Sequence, residues 1–549
     1  MTWQLRALLH QLFILSAISL LVMVHLHYRS PSFPFTPDSA SYIEQARNFL
    51  DSGSLLITPY GLAPGDQDQI ENRLFPIGFA VVLAAVSSFG IDAKDAAIGL
   101  AHFSAITLPW LLFFSFRRSI GPILSLLLAG LAALSPGVLK HSLMGLTDVF
   151  GLWLAVAVIG LMLNSRSISG FIFAGLLAGV AYAIRNAHLA LLVTIVLYFC
   201  YGWLSGAAGE RRAVLLQAVA TMFGMAVIVA PLLLRNIVIF GSPNPYLMGP
   251  STIGFVENLR TYIEALLKDG TACSECARYV AWSLPGLLGF GGVIIAAAYA
   301  VYKYRWSNLP TSGKKAFAIS TIYLAMGSCV VVAARTRYQW GELINLRHTL
   351  QYSPFLLAGM FALMADYGKK PVLHLNGWKK AKLAISVCLV FFHVNYAVNS
   401  ESFRNSDNEY PKLAKAFSTG KAYLCGNQAD TYLVSNWAHV FRIECGARVR
   451  QIEAITAGAK GDEMRAFMSA GDGYVSVLDA VSDIKQQAGS RPIRVGLFPG
   501  RFGVGPENLP LSAVDERQVA AKGWQIIKND QQGLILEYSK VGIQQMDAL

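Results

Sequence analysis

The stretch Pro37-Asp38-Ser39-Ala40-Ser41-Tyr42-Ile43-Glu44 holds an acidic side chain soon after the first membrane-length apolar run, about Gln11 to His27. A carboxylate close to lipid is costly and is usually kept for a task. The loop that follows carries further carboxylates, Glu44 and Glu71 among them, and five arginines, Arg185, Arg235, Arg335, Arg337 and Arg347, stand at the ends of later apolar runs or in the loops between them. A carboxylate can take a proton from a nucleophile or orient it. Guanidinium forks match phosphate geometry and stabilise a leaving phosphate. With apolar helix faces to hold a long isoprenoid tail, this set of residues suits transfer of a group from a lipid-linked phosphate carrier. Plainer roles compete: Asp38 can cap a helix, Arg at span ends can snorkel, and Glu44 reads as a residue on a solvated helix face.

Composition sets the setting in which such residues act. The chain has 549 residues, 54% of them hydrophobic and only 14% charged, with a mean hydropathy of +0.45. A soluble protein carries roughly a quarter charged residues. Apolar runs recur at lengths that cross about 30 Å of hydrocarbon, and none alternates as a barrel strand does. The expected fold is therefore an all-α polytopic membrane protein, its first run a retained anchor rather than a cleaved signal. A net charge of +12 raises nucleic-acid binding. The Lys and Arg instead form short clusters between apolar runs, such as Arg117-Arg118, Arg211-Arg212, Lys314-Lys315 and Lys379 to Lys382, as the positive-inside bias requires, so no nucleic-acid partner is expected.

Those clusters order the topology. Spans are expected at 11–27, 97–116, 121–138, 149–164, 169–184, 189–204, 213–234, 283–302, 316–334, 349–366 and 382–398, about eleven transmembrane helices. The N-terminus is then cytoplasmic and every basic cluster faces the cytoplasm. Phe75 to Phe89 is excluded as a span, because crossing there would invert the charge pattern downstream. It is expected to lie at the outer surface, within a first outer loop of 28–96 that also holds Asp66, Asp68, Asp92 and Asp95 as solvated charges. Arg185, Arg235, Arg335, Arg337 and Arg347 then fall on the outer side.

From Glu401 to Leu549 the chain turns polar and Gly-rich. Strands are expected at 422–425, 440–443, 474–478, 493–497 and 533–537, with helices at 428–438 and 452–470, giving a C-terminal α/β domain on the outer side. The division is 1–400 for the membrane part and 401–549 for the soluble domain. Cys273 and Cys276, and Cys425 and Cys445, could form disulfides in an oxidising compartment, remain free thiols, or bind metal or act in redox chemistry. Cys200, Cys329 and Cys388 read as packing residues within spans. His102, His141, His188 and His348 show no paired ligand spacing, and zinc is not expected.

The membrane part resembles the GT-C glycosyltransferases of the protein O-mannosyltransferase and lipid A aminoarabinose-transferase type. The resemblance covers about 1–366. It rests on Asp38 to Arg47 in the first loop, Glu71-Asn72-Arg73-Leu74-Phe75-Pro76-Ile77-Gly78 opening a surface helix, and Gly145-Leu146-Thr147-Asp148. It rests also on Ala183-Ile184-Arg185-Asn186, Pro231 to Asn236, and Arg347 to Pro354. The chain departs from the pattern where Ser39 follows Asp38 in place of a second acidic residue, and where Phe75-Pro76 replaces paired prolines. The resemblance implies Asp38 as catalytic base on the acceptor, and Glu71 and Asp148 as helpers that position substrate or bind a divalent ion. It implies Arg185, Arg235 and Arg347 as holders of the donor phosphate. A divalent cation, Mg or Mn, could use Asp38 and Asp148. The implied partners are a polyprenyl-phosphate-linked sugar donor, an acceptor that is a glycan, lipid or protein, and membrane lipids. The implied setting is the bacterial inner membrane with a periplasmic C-terminal domain. A transporter or flippase of a lipid-linked glycan is the alternative, and it requires charges in mid-span. A scaffold role would leave the acidic and arginine set without purpose.

Overall fold

A computed structural model describes residues 3–27, 35–59, 69–142 except 74, 144–245 except 207, 251–286 except 284, 311–338, 343–365, 376–399, 409–425, 431–451, 491–498, 523–530 and 533–538, with residues 488, 517 and 520. The expected strand at 474–478, the helix at 452–470, Asp66, Asp68 and all but the start of the span at 283–302 lie outside the described residues.

The chain begins with α1 (Trp3–His27) and α2 (Pro37–Ser52), then β1 (Leu56–Ile57) and β2 (Ile70–Glu71). Next come α3 (Gly78–Ser87), α4 (Ala93–Ile120), α5 (Pro122–Ala133), α6 (Pro136–His141), α7 (Asp148–Asn164) and α8 (Ile168–Ile184). They are followed by α9 (Leu189–Ser205), α10 (Ala208–Phe240), α11 (Phe255–Thr271) and α12 (Ser274–Trp282). The membrane part closes with α13 (Thr311–Arg337), α14 (Leu346–Thr349), α15 (Ser353–Met364) and α16 (Asn376–Asn399). Among the described residues four helical stretches are long and apolar enough to cross a bilayer: Ala93–Ile120, Asn186–Ser205, Gly209–Phe240 and Thr311–Arg337. Seven shorter apolar helices, of 10–17 residues, accompany them. Two expected spans are broken. The 121–138 run splits at Ser135, which caps α6 with Pro136 at its first position, and the 349–366 run splits before Pro354. A proline disfavours helical backbone in the residue before it.

Small residues set the closest packing. A Cβ on Gly175 of α8 would collide with the Thr221 carbonyl of α10, and one on Gly224 with the Ile172 carbonyl, so these two helices meet backbone to backbone. Lipid offers no hydrophobic drive between helices, and such close approach supplies the van der Waals contact that does. The outward side of α10 (Leu215, Leu216, Val219, Phe223, Val227) stays exposed, as a lipid-facing surface does. Cys200, Cys329 and Cys388 are likewise exposed and do not pack inside the bundle as the sequence reading holds. Helix α3 has ten residues, about 15 Å of helix, and is too short to cross.

Beyond the helices, α17 (Glu409–Leu424), β3 (Tyr432–Ser435), α18 (Ala438–Cys445), β4 (Val449–Gln451), β5 (Ile493–Leu497), β6 (Gln525–Asp530) and β7 (Gly533–Tyr538) form a layered unit. Its sheet runs β4-β3-β5-β7-β6. β3 is parallel to β4 and β5, with Val434 beside Arg450 and Val495, and β7 is antiparallel to β5 and β6. The strands expected at 493–497 and 533–537 are present. Residues 422–424 and 440–443 are instead helical, and 432–435, expected in a helix, form a strand. Short apolar runs do not separate strand from buried helix by pattern alone. Here Val440, Phe441 and Ile443 are buried on α18 with Phe441 against Phe498 at 5.6 Å. Both cysteine pairs are closed as disulfides, Cys273–Cys276 and Cys425–Cys445. The second ties the end of α17 to the end of α18.

Candidate active site

Helix α2 is cut out by local chemistry. Thr36 and Ser39 form a reciprocal capping box with Pro37 in the first turn, and Gly53 ends the helix at φ +72. That conformation costs glycine little and other residues more. The cap puts Asp38 in the first turn. Tyr42, one turn on, is buried against Phe75 at 5.3 Å and edge-on to Phe79 at 5.2 Å. The Gly78 end of α3 in turn lies on the Ala183 backbone of α8, where a Cβ would collide. These contacts carry Asp38 toward the end of α8, where Arg185 sits in extended backbone.

Four of the six expected site residues meet there. Arg347, on α14, pairs with Asp38 and reaches Asp148 through Nε at 3.2 Å. Arg185 pairs with Asp148 and also donates to the Arg347 carbonyl at 3.4 Å. Asp148, in the first turn of α7, has no exposed side-chain surface, while Asp38, Arg185 and Arg347 keep 17%, 15% and 21%. The result is an alternating chain, Asp38–Arg347–Asp148–Arg185, with its buried carboxylate, Asp148, between the two arginines and partly exposed groups at both ends. Asn345 fixes Arg347 by accepting from its backbone N–H at 2.9 Å. Burial, with Arg185 and Arg347 close by, holds His348 well below the usual imidazole range, so it adds no positive charge.

Glu71 and Arg235 do not join this chain. They form their own pair at 2.5 Å between β2 and α10. The Phe240 ring lies 5.8 Å from the Arg235 guanidinium and 5.2 Å from that of Arg73, so a second cation stands beside this pair. Arg73 was part of the sequence motif but not of the expected site, and only the fold reveals its neighbour. Sequence reasoning read His188 as a scattered histidine and gave Gln351 no role. Both are buried, and among the described residues their side-chain nitrogen and oxygen atoms have no hydrogen-bond partner. They close around Gly151, one turn along α7 from Asp148. Arg335 and Arg337 lie elsewhere: Arg335 is buried and donates to Ser251 at 3.1 Å, and Arg337 rests against Tyr338.

Glu44 is not on a solvated face. It accepts from the Thr58 amide at 2.7 Å and the Thr58 hydroxyl at 2.6 Å, and from Arg442 Nε on α18 at 2.8 Å. Arg47 donates to the Ile443 carbonyl at 2.8 Å and pairs with Asp92 at 3.0 Å, while Lys94 meets Glu444 at 3.3 Å. The C-terminal unit therefore docks on the helix that bears Asp38. As for a divalent ion, Asp38 and Asp148 both hold guanidinium groups, and those pairs would have to open before either bound Mg or Mn. Among the described residues no three His, Cys, Asp or Glu side chains converge on one point.

No family model and no curated protein matches the chain. Solved structures do. ArnT from Cupriavidus metallidurans bound to undecaprenyl phosphate aligns with a TM-score of 0.55 at 12% identity over 96% of this chain and 97% of that one. Its apo form gives 0.54. The archaeal oligosaccharyltransferase AglB from Archaeoglobus fulgidus, in complex with an inhibitory peptide and a dolichol-phosphate, gives 0.53 at 12% identity over 90% of this chain and 70% of that one. The chain shares the fold of these two proteins. The ArnT alignment runs nearly end to end in both chains.

Proposed function

We propose that this protein transfers a sugar from a polyprenyl-phosphate carrier to an acceptor at the outer face of a bacterial inner membrane, with Asp38 as the base. The observation that carries the reading is the chain Asp38–Arg347–Asp148–Arg185, drawn from four distant segments into one place. Undecaprenyl phosphate in ArnT and dolichol-phosphate in AglB are the ligands of proteins with this fold, which supports the donor class.

In the resting arrangement each of the three arginines is paired with a carboxylate. A donor phosphate entering beside Arg347 and Arg185 competes for those guanidiniums and draws Arg347 from Asp38. Asp38 is then free to accept the proton of the acceptor hydroxyl. The acceptor oxygen bonds to the anomeric carbon as the bond from that carbon to the phosphate oxygen breaks, with the electron pair leaving on the phosphate. Attack opposite the leaving group inverts the sugar centre. Asp148 stays buried and keeps Arg185 and Arg347 oriented. Arg235 and Glu71 serve the same carrier from the α10 side. On this reading residues 1–400 form the membrane part, crossing about eleven times, and residues 401–549 form a periplasmic domain. These charges gather at helix ends, not at mid-span, which favours transfer over a flippase.

The test is Asp38→Asn in the full chain. Envelope glycans are compared by mass spectrometry, and binding of undecaprenyl phosphate is measured in detergent. Loss of the transferred sugar with binding retained is expected. Normal product from the variant would reduce Asp38 to a residue of the helix start.

A further inference from the structure

Beside the arginine chain lies a cavity the transfer reading does not use. Its volume is about 560 Å³, within the ~300–1,000 Å³ of small-molecule sites. Glu264 and Lys268 of α11, Arg278 and Trp282 of α12, and Asn345 line it. The Cys273–Cys276 disulfide ties the N-cap of α12 to its first turn. Trp282 donates its indole N–H to Glu264 and keeps 44% of its surface exposed. Neither Lys268 nor Arg278 has an ion-pair partner among the described residues, although every arginine of the neighbouring site does. The cavity thus offers an aromatic ring held by a hydrogen bond, two uncommitted cations, and a carboxylate and an amide suited to hydroxyl groups.

We propose that this cavity binds an anionic saccharide. The ring of Trp282 presents a flat apolar surface to the C–H face of a sugar. Lys268 and Arg278 meet its carboxylate or phosphate through charge-assisted hydrogen bonds, and Glu264 and Asn345 take its hydroxyls. With Glu264 counted against Lys268 and Arg278 the lining carries a net single positive charge, which selects an anion over a neutral sugar. Occupancy has a direct route to the neighbouring site, because Asn345 also caps the helix that presents Arg347.

Saturation-transfer NMR on the full chain in neutral detergent tests this, with D-glucuronate, glucose 6-phosphate and glucose as probes. From titrations of the signal, either charged sugar is expected to bind at least about tenfold more tightly than glucose, a difference of about 1.4 kcal/mol, and the tighter of the two names the anion. The double variant Lys268→Met/Arg278→Met is expected to lose that preference while its thermal unfolding in detergent is unchanged. Should the double variant unfold, Arg278→Gln alone, at an exposed position, is expected to weaken the signal. Asp38→Asn is expected to leave binding intact, which separates this site from the transfer reading. Equal signals from glucose, no signal from any probe, or full binding by the folded variants would overturn the proposal. So would displacement of both sugars by phosphatidylglycerol in mixed micelles, since the cations would then serve a lipid headgroup.

Discussion

Glu44→Gln removes one charge and leaves the shape of the side chain. Its amide oxygen can still accept from Thr58, so the loss falls on Arg442. That guanidinium donates to Glu44 through both Nε and a terminal nitrogen, and its side chain is 1% exposed while that of Glu44 is 13% exposed. An exposed ion pair contributes about 0–1 kcal/mol. Breaking a buried one leaves a charge without its counter-ion and costs about 3–5 kcal/mol. The second figure applies here because water reaches almost none of Arg442. The loss should appear as loosened docking of the 431–451 segment, read by hydrogen exchange or limited proteolysis in detergent. Glu44 lies six residues after Asp38 on α2, about 9 Å along the helix, so the loosening should also lower turnover. Glu44→Gln/Arg442→Met should recover much of the docking, since the stranded charge is gone. A destabilisation under about 1 kcal/mol, or a double variant worse than the single by the full cost of Arg442→Met, would refute the idea that this pair clamps the C-terminal unit to α2.

Other outcomes follow from the same geometry. Asp148→Asn takes the buried counter-charge from Arg185 and Arg347; about 3–5 kcal/mol should be lost, seen as a lower thermal midpoint in detergent, and an unchanged midpoint would remove Asp148 from the framework. Opening Cys425–Cys445 by serine substitution frees a 20-residue separation and should cost about 3 kcal/mol, measured as faster proteolysis within 409–451. Asp269, outside the spans, accepts from the Gly137 amide and the Ser353 hydroxyl, but burial dominates and pushes its carboxyl up to about 6. The folded protein then holds a proton that the unfolded chain releases near pH 4, so stability should fall as pH rises from about 4 to about 6, by about 3 kcal/mol in all. Asp269→Asn should flatten that part of the pH profile of thermal unfolding; a slope that survives the substitution would assign it to another group.

Much of the architecture was legible because membrane helices write themselves in composition. A run of apolar residues long enough to cross lipid has few alternatives, and Pro122, Pro136 and Pro354 mark where helices start. The brevity of α3 could be anticipated from charge and length, and the resemblance to known transferases marked Asp38, Asp148, Arg185 and Arg347 as parts of one site. The C-terminal strands could not. The runs at 422–425, 432–435 and 440–443 are equally short and apolar, and their state depends on which neighbours bury them. Pairing was also beyond reach. Sequence marked Glu71, Arg235, Asp38 and Arg347 as one set, whereas folding sorted them into two ion-paired groups and turned Glu44 inward to Arg442. Local pattern determines which segments become helices because the backbone must satisfy its own hydrogen bonds in lipid. Which charge meets which is decided only when segments hundreds of residues apart are packed together, since a Coulomb contact depends on distance in space and not along the chain.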